Sequence, residues 1–172
     1  MIYLIGSLQN PQVPEIANEI RKATGEEVFD DWYAAGPEAD DYWRDYEKSR
    51  GRSYKEGLQG LAARHVFDFD LQHLNRSTRG VLILPAGRSG HLELGYIIGQ
   101  GKPGYILLDN PDRWDVMYRF ATVCFTQEEL IENLRCLKLR QSGADETSAS
   151  VIRDFGPLSG IYVAGRGRGA GV

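Results

Sequence analysis

Glu93 follows a bend whose residues make it attractive to negative charge. The run Gly80-Val81-Leu82-Ile83-Leu84 has the composition of a buried parallel strand. Pro85-Ala86-Gly87 breaks it, and a helical pattern resumes over residues 90–99. A strand that turns through glycines into a helix aims free backbone N–H groups and the positive end of a helix dipole at one point. Glu93, within about the first turn, is therefore expected to stay ionised, which suits a nucleophile better than a proton donor. A surface glutamate in a favourable first-turn position would leave the same signature in the sequence.

The chain that must position this carboxylate has 172 residues, the size of one ordinary domain with room for a core and a tail. A formal charge of −4 gives no reason to expect nucleic acid or an anionic membrane as partner. The two cysteines, Cys124 and Cys136, fit no metal spacing and no disulfide framework, so a reducing cytoplasm is the expected compartment. No apolar run reaches the roughly 18 residues of a membrane span, and the opening residues lack the pattern of a signal peptide.

Strand and helix signals alternate. Ile2-Tyr3-Leu4-Ile5 reads as a buried strand ending at Gly6-Ser7. A helix follows Asn10-Pro11 and Pro14, with Ile16, Ala17, Ile20 and Ala23 on one face and Gly25 as its stop. Glu27-Val28-Phe29 is a short second strand. Residues 30–51 form an acidic, aromatic excursion containing Asp30, Asp31, Trp32 and Trp43; it reads either as a binding loop or as a solvated, partly helical cover. Ser53 and Glu56 form a capping box for one helix whose stripe is Leu58, Leu61, Ala62, Val66, Phe69 and His73. Residues 80–84 make the third strand, Tyr105-Ile106-Leu107-Leu108 the fourth, and Val123-Cys124-Phe125 a short fifth. Thr126 and Glu129 open a last helix with Leu130, Ile131, Leu134 and Leu137. Residues 143–172, rich in Gly, Ser and Arg, are expected to be a tail ordered only when docked.

This alternation predicts an α/β fold with a five-stranded, mostly parallel sheet covered on both faces. Ligands of such sheets lie beyond the carboxyl ends of the strands. That rule gathers Gly6-Ser7, Asp30-Asp31-Trp32, the turn from Pro85 to Glu93, and Asp109-Asn110 along one edge. Asp70 lies near the end of its own helix, beside Phe69 on the border of the apolar stripe.

The pattern Asp70-Leu71, an apolar strand, Gly90, Glu93-Leu94-Gly95-Tyr96 and then Gly101-Lys102 resembles the nucleoside 2-deoxyribosyltransferase family and its relatives that hydrolyse 2'-deoxynucleoside 5'-monophosphates. The opening Ile2-Tyr3-Leu4 strand with Gly6-Ser7 is similar to that family's tyrosine strand. The likeness covers about residues 1–140. It implies a flavodoxin-like (Rossmann-type) three-layer sandwich, homo-oligomers whose subunits complete one another's sites, and cleavage of the bond between base and sugar without a cofactor or metal. It also implies that Glu93 is the nucleophile, Asp70 the acid that handles the base, and Tyr3 the group that positions Glu93. By the same likeness the segment from Trp114 to Tyr118 would reach a neighbouring subunit's cleft.

That chemistry fits the residue types. Departure of the base builds positive charge on the sugar; one carboxylate can trap it as an ester while a second carboxyl protonates the leaving base. Asp70 needs a partly buried site to hold a proton at neutral pH. The free-nucleoside transferases commonly carry an aspartate six residues before the nucleophile, and the nucleotide hydrolases a serine, where this chain has Gly87. Arg88 and Ser89 stand in the same turn with Ser7 across the cleft, a phosphate cradle that favours a nucleoside 5'-monophosphate. Arg88 as a surface arginine and Ser89 as a plain N-cap are the competing readings. His91 is placed to touch sugar or phosphate, or simply to pack. For the base, Trp32 offers a stacking face, Asp30 and Asp31 offer acceptors, and Trp43 extends the same wall; lid or core packing competes for each. Beside an enzyme acting on nucleosides or nucleotides stand two alternatives, a catalytically silent nucleotide-sensing module and a partner-binding domain that works through its Arg/Gly tail.

Overall fold

A computed structural model describes residues 1–108 and 115–142, with side chains described to residue 136. Asp109, Asn110, Trp114, the side chain of Leu137 and the expected tail, residues 143–172, lie outside the described residues.

Five parallel strands form one sheet: β1 (Ile2–Ile5), β2 (Val28–Phe29), β3 (Arg79–Ile83), β4 (Gly104–Leu107) and β5 (Thr122–Cys124). Their order is β2-β1-β3-β4-β5, that of a flavodoxin-like three-layer fold. Alternation along β1 divides the core. Ile2 and Leu4 face α1 (Val13–Thr24) and α6 (Gln127–Ser142), in a cluster with Ile16, Ile20, Leu130 and Leu134. Tyr3 and Ile5 face the opposite side with Phe29, Leu82, Leu94 and Ile97. That side is covered by α4 (Leu61–Arg76) and α5 (Arg88–Gly99). Strand parity thus decides that Tyr3 shares a face with Asp70 and Glu93.

Local signals explain the helix ends. In α1, Pro14 sits in the first turn, and Gly25 closes the helix at φ 65°, a left-handed conformation costly for side chains with a Cβ. Thr126 Oγ1 accepts the Glu129 N–H at 3.1 Å at the start of α6, while the Glu129 carboxylate accepts from Phe125 N–H at 2.8 Å. The tight seat of α5 also has a cause in sequence. A Cβ on Gly80 would lie 2.6 Å from Ile97 Cδ1, and one on Gly104 2.7 Å from Ile98, so two bare positions let the helix lie close on β3 and β4.

Three expectations are corrected. The single helix expected from Ser53 onward is two, α3 (Tyr54–Leu58) and α4. The capping box is real, with Ser53 Oγ accepting from Glu56 N–H at 3.4 Å and Glu56 accepting from Ser53 N–H at 2.8 Å. The chain breaks at Gly60, where a Cβ would stand 3.3 Å from Arg52 and Glu47, and glycine is a poor helix interior in any case. The break lets Gly57 pack against Trp43 and Glu47 of α2 (Ala39–Ser49). Second, the expected stripe is not core: Leu58, Leu61, Val66 and Phe69 are exposed in the single chain, and α4 buries Leu74 instead. Third, α5 begins at Arg88, so Glu93 is its sixth residue and lies in the second turn. The acidic excursion is a 3-10 turn (Asp31–Ala35) followed by α2. Among the described residues no helix is long and apolar enough to cross a membrane.

Candidate active site

Three elements distant in sequence bring Tyr3, Asp70 and Glu93 together. Tyr3, on β1, is 1% exposed, and its hydroxyl donates a hydrogen bond to the Asp70 carboxylate. Asp70 on α4 and Glu93 on α5 are both half-buried; the Asp70 charge reaches Glu93, and the charges of both reach the Tyr3 hydroxyl. The family likeness assigns Tyr3 to Glu93; here the tyrosine's hydrogen bond goes to Asp70.

The electrostatics follow from burial. Loss of water pushes Glu93 up to about 7, and the neighbouring Asp70 charge adds to the rise. Burial also raises Asp70 above the ordinary carboxylate range, while His73 and the Tyr3 hydroxyl pull it back. Burial raises the Tyr3 hydroxyl, helped by the charges of Glu93 and Asp70. The expectation that Glu93 stays ionised is therefore overturned. The dipole effect fades beyond the first turn of a helix, and Glu93 sits in the second, where desolvation wins.

At the switch point between β1 and β3, formed by the loops that follow those strands, is a cavity of about 350 Å³ lined by Ser7, Gln9, Asn10, Pro85 and Ala86; Tyr3, Asp70 and Glu93 are not among its lining residues. Gly90, the third residue of α5, seats the helix there: its absent Cβ would meet Ile5 at 3.0 Å and Leu82 at 3.2 Å. Glu93 is one turn further along. The helix N-terminus has Gly87 as its cap and no side-chain cap bond, so its first amides are unclaimed by side chains. Ser89 is thus the second helical residue and exposed, and is not the N-cap. Arg88 is exposed and makes no ion pair among the described residues. Ser7 Oγ accepts from Gln9 N–H at 3.2 Å, and Gly6 admits the edge of Trp32, 3.4 Å from where a Cβ would stand. His91 is held at both ring nitrogens: Nδ1 lies 2.9 Å from the Gly87 carbonyl oxygen and Nε2 3.0 Å from the Tyr118 hydroxyl. Tyr118, in a second 3-10 turn (Val116–Phe120), also stacks on the ring at 5.9 Å.

The proposed base-recognition residues are not gathered there. Asp30 turns away to pair with Arg21 of α1, whose guanidinium also donates to the Val28 carbonyl at 2.8 Å. Asp31 is exposed. Trp32 donates its indole N–H to the Leu4 carbonyl at 2.7 Å and packs on both core clusters, so it braces the end of β1. Trp43 packs edge-on to Tyr54 and against Gly57, within the α2–α3 joint.

Sequence reasoning missed Gln9 and Asn10, which line the cavity. Asn10 is buried; its Oδ1 accepts from Gln12 N–H at 3.0 Å while Nδ2 has no partner. The Asn-Pro pair gave the turn but not its second use. Also missed was the lock between α4 and α5, where Asn75 Oδ1 accepts from the Tyr96 hydroxyl at 2.9 Å and Gln100 at 2.8 Å. Lys102 donates to the carbonyls of Leu74 and Asn75 at 3.0 and 2.9 Å, capping the helix that carries Asp70. Among the described residues no cluster of His, Cys, Asp and Glu is arranged to hold a metal ion.

No protein-family model matches the chain, and no curated protein matches it either.

Proposed function

We propose that this protein cleaves the N-glycosidic bond of a nucleoside 5'-monophosphate, through an ester formed between Glu93 and the sugar. The observation that carries this reading is the meeting of Tyr3, Asp70 and Glu93 on one face of the sheet, with Glu93 on the helix that follows the cavity's Pro85-Ala86 turn. Ionised Glu93 attacks C1'; the bond to the base breaks and its electrons leave with the base, which takes the proton held on Asp70. Water then opens the ester, its hydroxide going to C1' and its proton to Asp70. A second base in place of water would make the same protein a transferase. The unclaimed amides of α5, with Arg88, Ser89 and Ser7, supply donors for a phosphate, which is the basis for preferring monophosphates over free nucleosides.

The reading includes a homo-oligomer. Leu61 and Phe67 of α4 are 81% and 63% exposed, and Leu92 of α5 is 75% exposed, on the helices that carry the two carboxyls. A second copy covering them would also bring side chains towards the cleft. One observation favours the alternative, a silent nucleotide-binding module: a Glu93 that titrates at about 7 is half protonated in the empty site at neutral pH.

The deciding experiment incubates the protein with nucleosides and their 5'-monophosphates and follows free base by chromatography. Release from monophosphates that disappears in Glu93→Gln supports the enzyme. Binding without release in the wild type leaves the sensor, and equal rates with and without phosphate overturn the cradle. Adding a second base separates transfer from hydrolysis.

A further inference from the structure

Asp70 and Glu93 stand on different helices, so their separation is only as fixed as α4 is against α5. Among the described residues, the hydrogen bonds that join these helices converge on one side chain at their C-terminal ends. Asn75 Oδ1 accepts from the Tyr96 hydroxyl at 2.9 Å and from Gln100 Nε2 at 2.8 Å, which uses both lone pairs of that oxygen. Lys102, just past α5, grips the same end of α4 through the main-chain oxygens of Leu74 and Asn75. The lock lies close to both carboxyls. Asn75 follows Asp70 by five residues, about 7.5 Å along α4. Tyr96 follows Glu93 by three, about 4.5 Å along α5 and on the same side of that helix. Asn75, Tyr96 and Gln100 are all exposed, so these bonds add little to the stability of the fold. What they supply is direction: two donors from α5 and its cap are drawn to a single point on α4.

We propose that Asn75 is a positioning residue, which holds Tyr96 and Gln100 on one oxygen and thereby sets the spacing between the helices that carry Asp70 and Glu93. The proposed reaction needs that spacing. A nucleophile and an acid must reach C1' and the departing base at the same moment, and carboxyls that act in this way stand about 5 Å apart. A shift of about 1 Å in either helix leaves every group present and spoils the alignment. Leucine at position 75 would fill the same space with no acceptor, and the Tyr96 hydroxyl and Gln100 would turn to water. Aspartate would still accept both bonds. The consequence for rate rests on the N-glycosidase reading; the spacing of the helices does not.

The test compares wild type with Asn75→Leu, Asn75→Asp and Tyr96→Phe; the last removes one hydroxyl and serves if Asn75→Leu folds poorly. On the nucleoside 5'-monophosphate that releases base fastest, kcat should fall about tenfold in Asn75→Leu and about threefold in Tyr96→Phe, with KM within about twofold of wild type. Asn75→Asp should recover most of the loss. In the ligand-free protein, the Glu93 carboxyl carbon followed by NMR should titrate about half a pH unit or more below its wild-type value of about 7 in Asn75→Leu, because a looser α4 lets water reach it. A Glu93 titration in Asn75→Leu that superimposes on wild type overturns the proposal. So does an Asn75→Asp variant as slow as Asn75→Leu, since the accepting oxygen would then not be what matters. A wild type that releases no base from any substrate overturns the enzymatic reading instead, and the Glu93 titration then decides the spacing by itself.

Discussion

The two faces of the sheet are built to different ends. On the α1/α6 face Ile2, Leu4, Ile20, Leu130 and Leu134 are buried almost completely, with no ionisable side chain of the proposed site among them. On the α4/α5 face the same strands present Tyr3, and the covering helices half-bury two carboxyls while leaving Leu61, Phe67 and Leu92 in water. One face holds the molecule together. The other accepts desolvated acids and exposed apolar surface, costs that the proposed ligand and second copy would offset.

Mutations can test that contrast. The largest effect should come from Glu93→Gln, which is expected to cut base release at least about 10³-fold while circular dichroism shows the fold retained. Next is Leu130→Ala on the opposite face, which should cost about 2–5 kcal/mol in urea unfolding and leave the rate per folded molecule unchanged. A third effect is pH-dependent. Glu93 binds its proton more tightly folded, at about 7, than unfolded, so the folded state loses stability as pH rises from about 4.5 to about 7. Glu93→Gln removes that loss and should exceed the wild type by about 1–3 kcal/mol at pH 8, with no such gain at pH 4. In the same window the acid limb of kcat/KM should lie near pH 7, because the nucleophile must shed its proton. The smallest change in monomer stability, within about 0.5 kcal/mol, is expected for Leu61→Ser, yet sedimentation should show that it weakens self-association. If Leu61→Ser unfolds the protein or leaves the oligomer intact, the two faces differ less than described.

The α1/α6 face was the more legible in sequence. Its strands and helices follow from short apolar runs, a proline near a helix start and a glycine at its end, all local signals. The working face depends on contacts between distant residues. The partner of Asp30 is Arg21, on the far side of β2, and nothing in the excursion points to it. The break at Gly60 is set by Glu47 and Arg52 closing on it, so the apolar period ran straight through it in sequence. The placement of Tyr3 beside Asp70 follows from strand parity, but the desolvation of Glu93 requires α4, some twenty residues upstream, to lie against α5. For Asp30, a test is direct: Asp30→Asn should cost no more than about 1 kcal/mol and alter base release less than about twofold.

The bare floor at Gly80 and Gly104 carries a last consequence. Because Ile97 and Ile98 rest where a methyl group would otherwise stand, the height of α5 above the sheet is set by two hydrogens. Glu93 is one turn from that fulcrum, so a single carbon added at Gly80 would tilt the helix like a shim under a lever. The Glu93 carboxyl would move while every residue around it kept its identity, and tuning this position by evolution or by design begins beneath it.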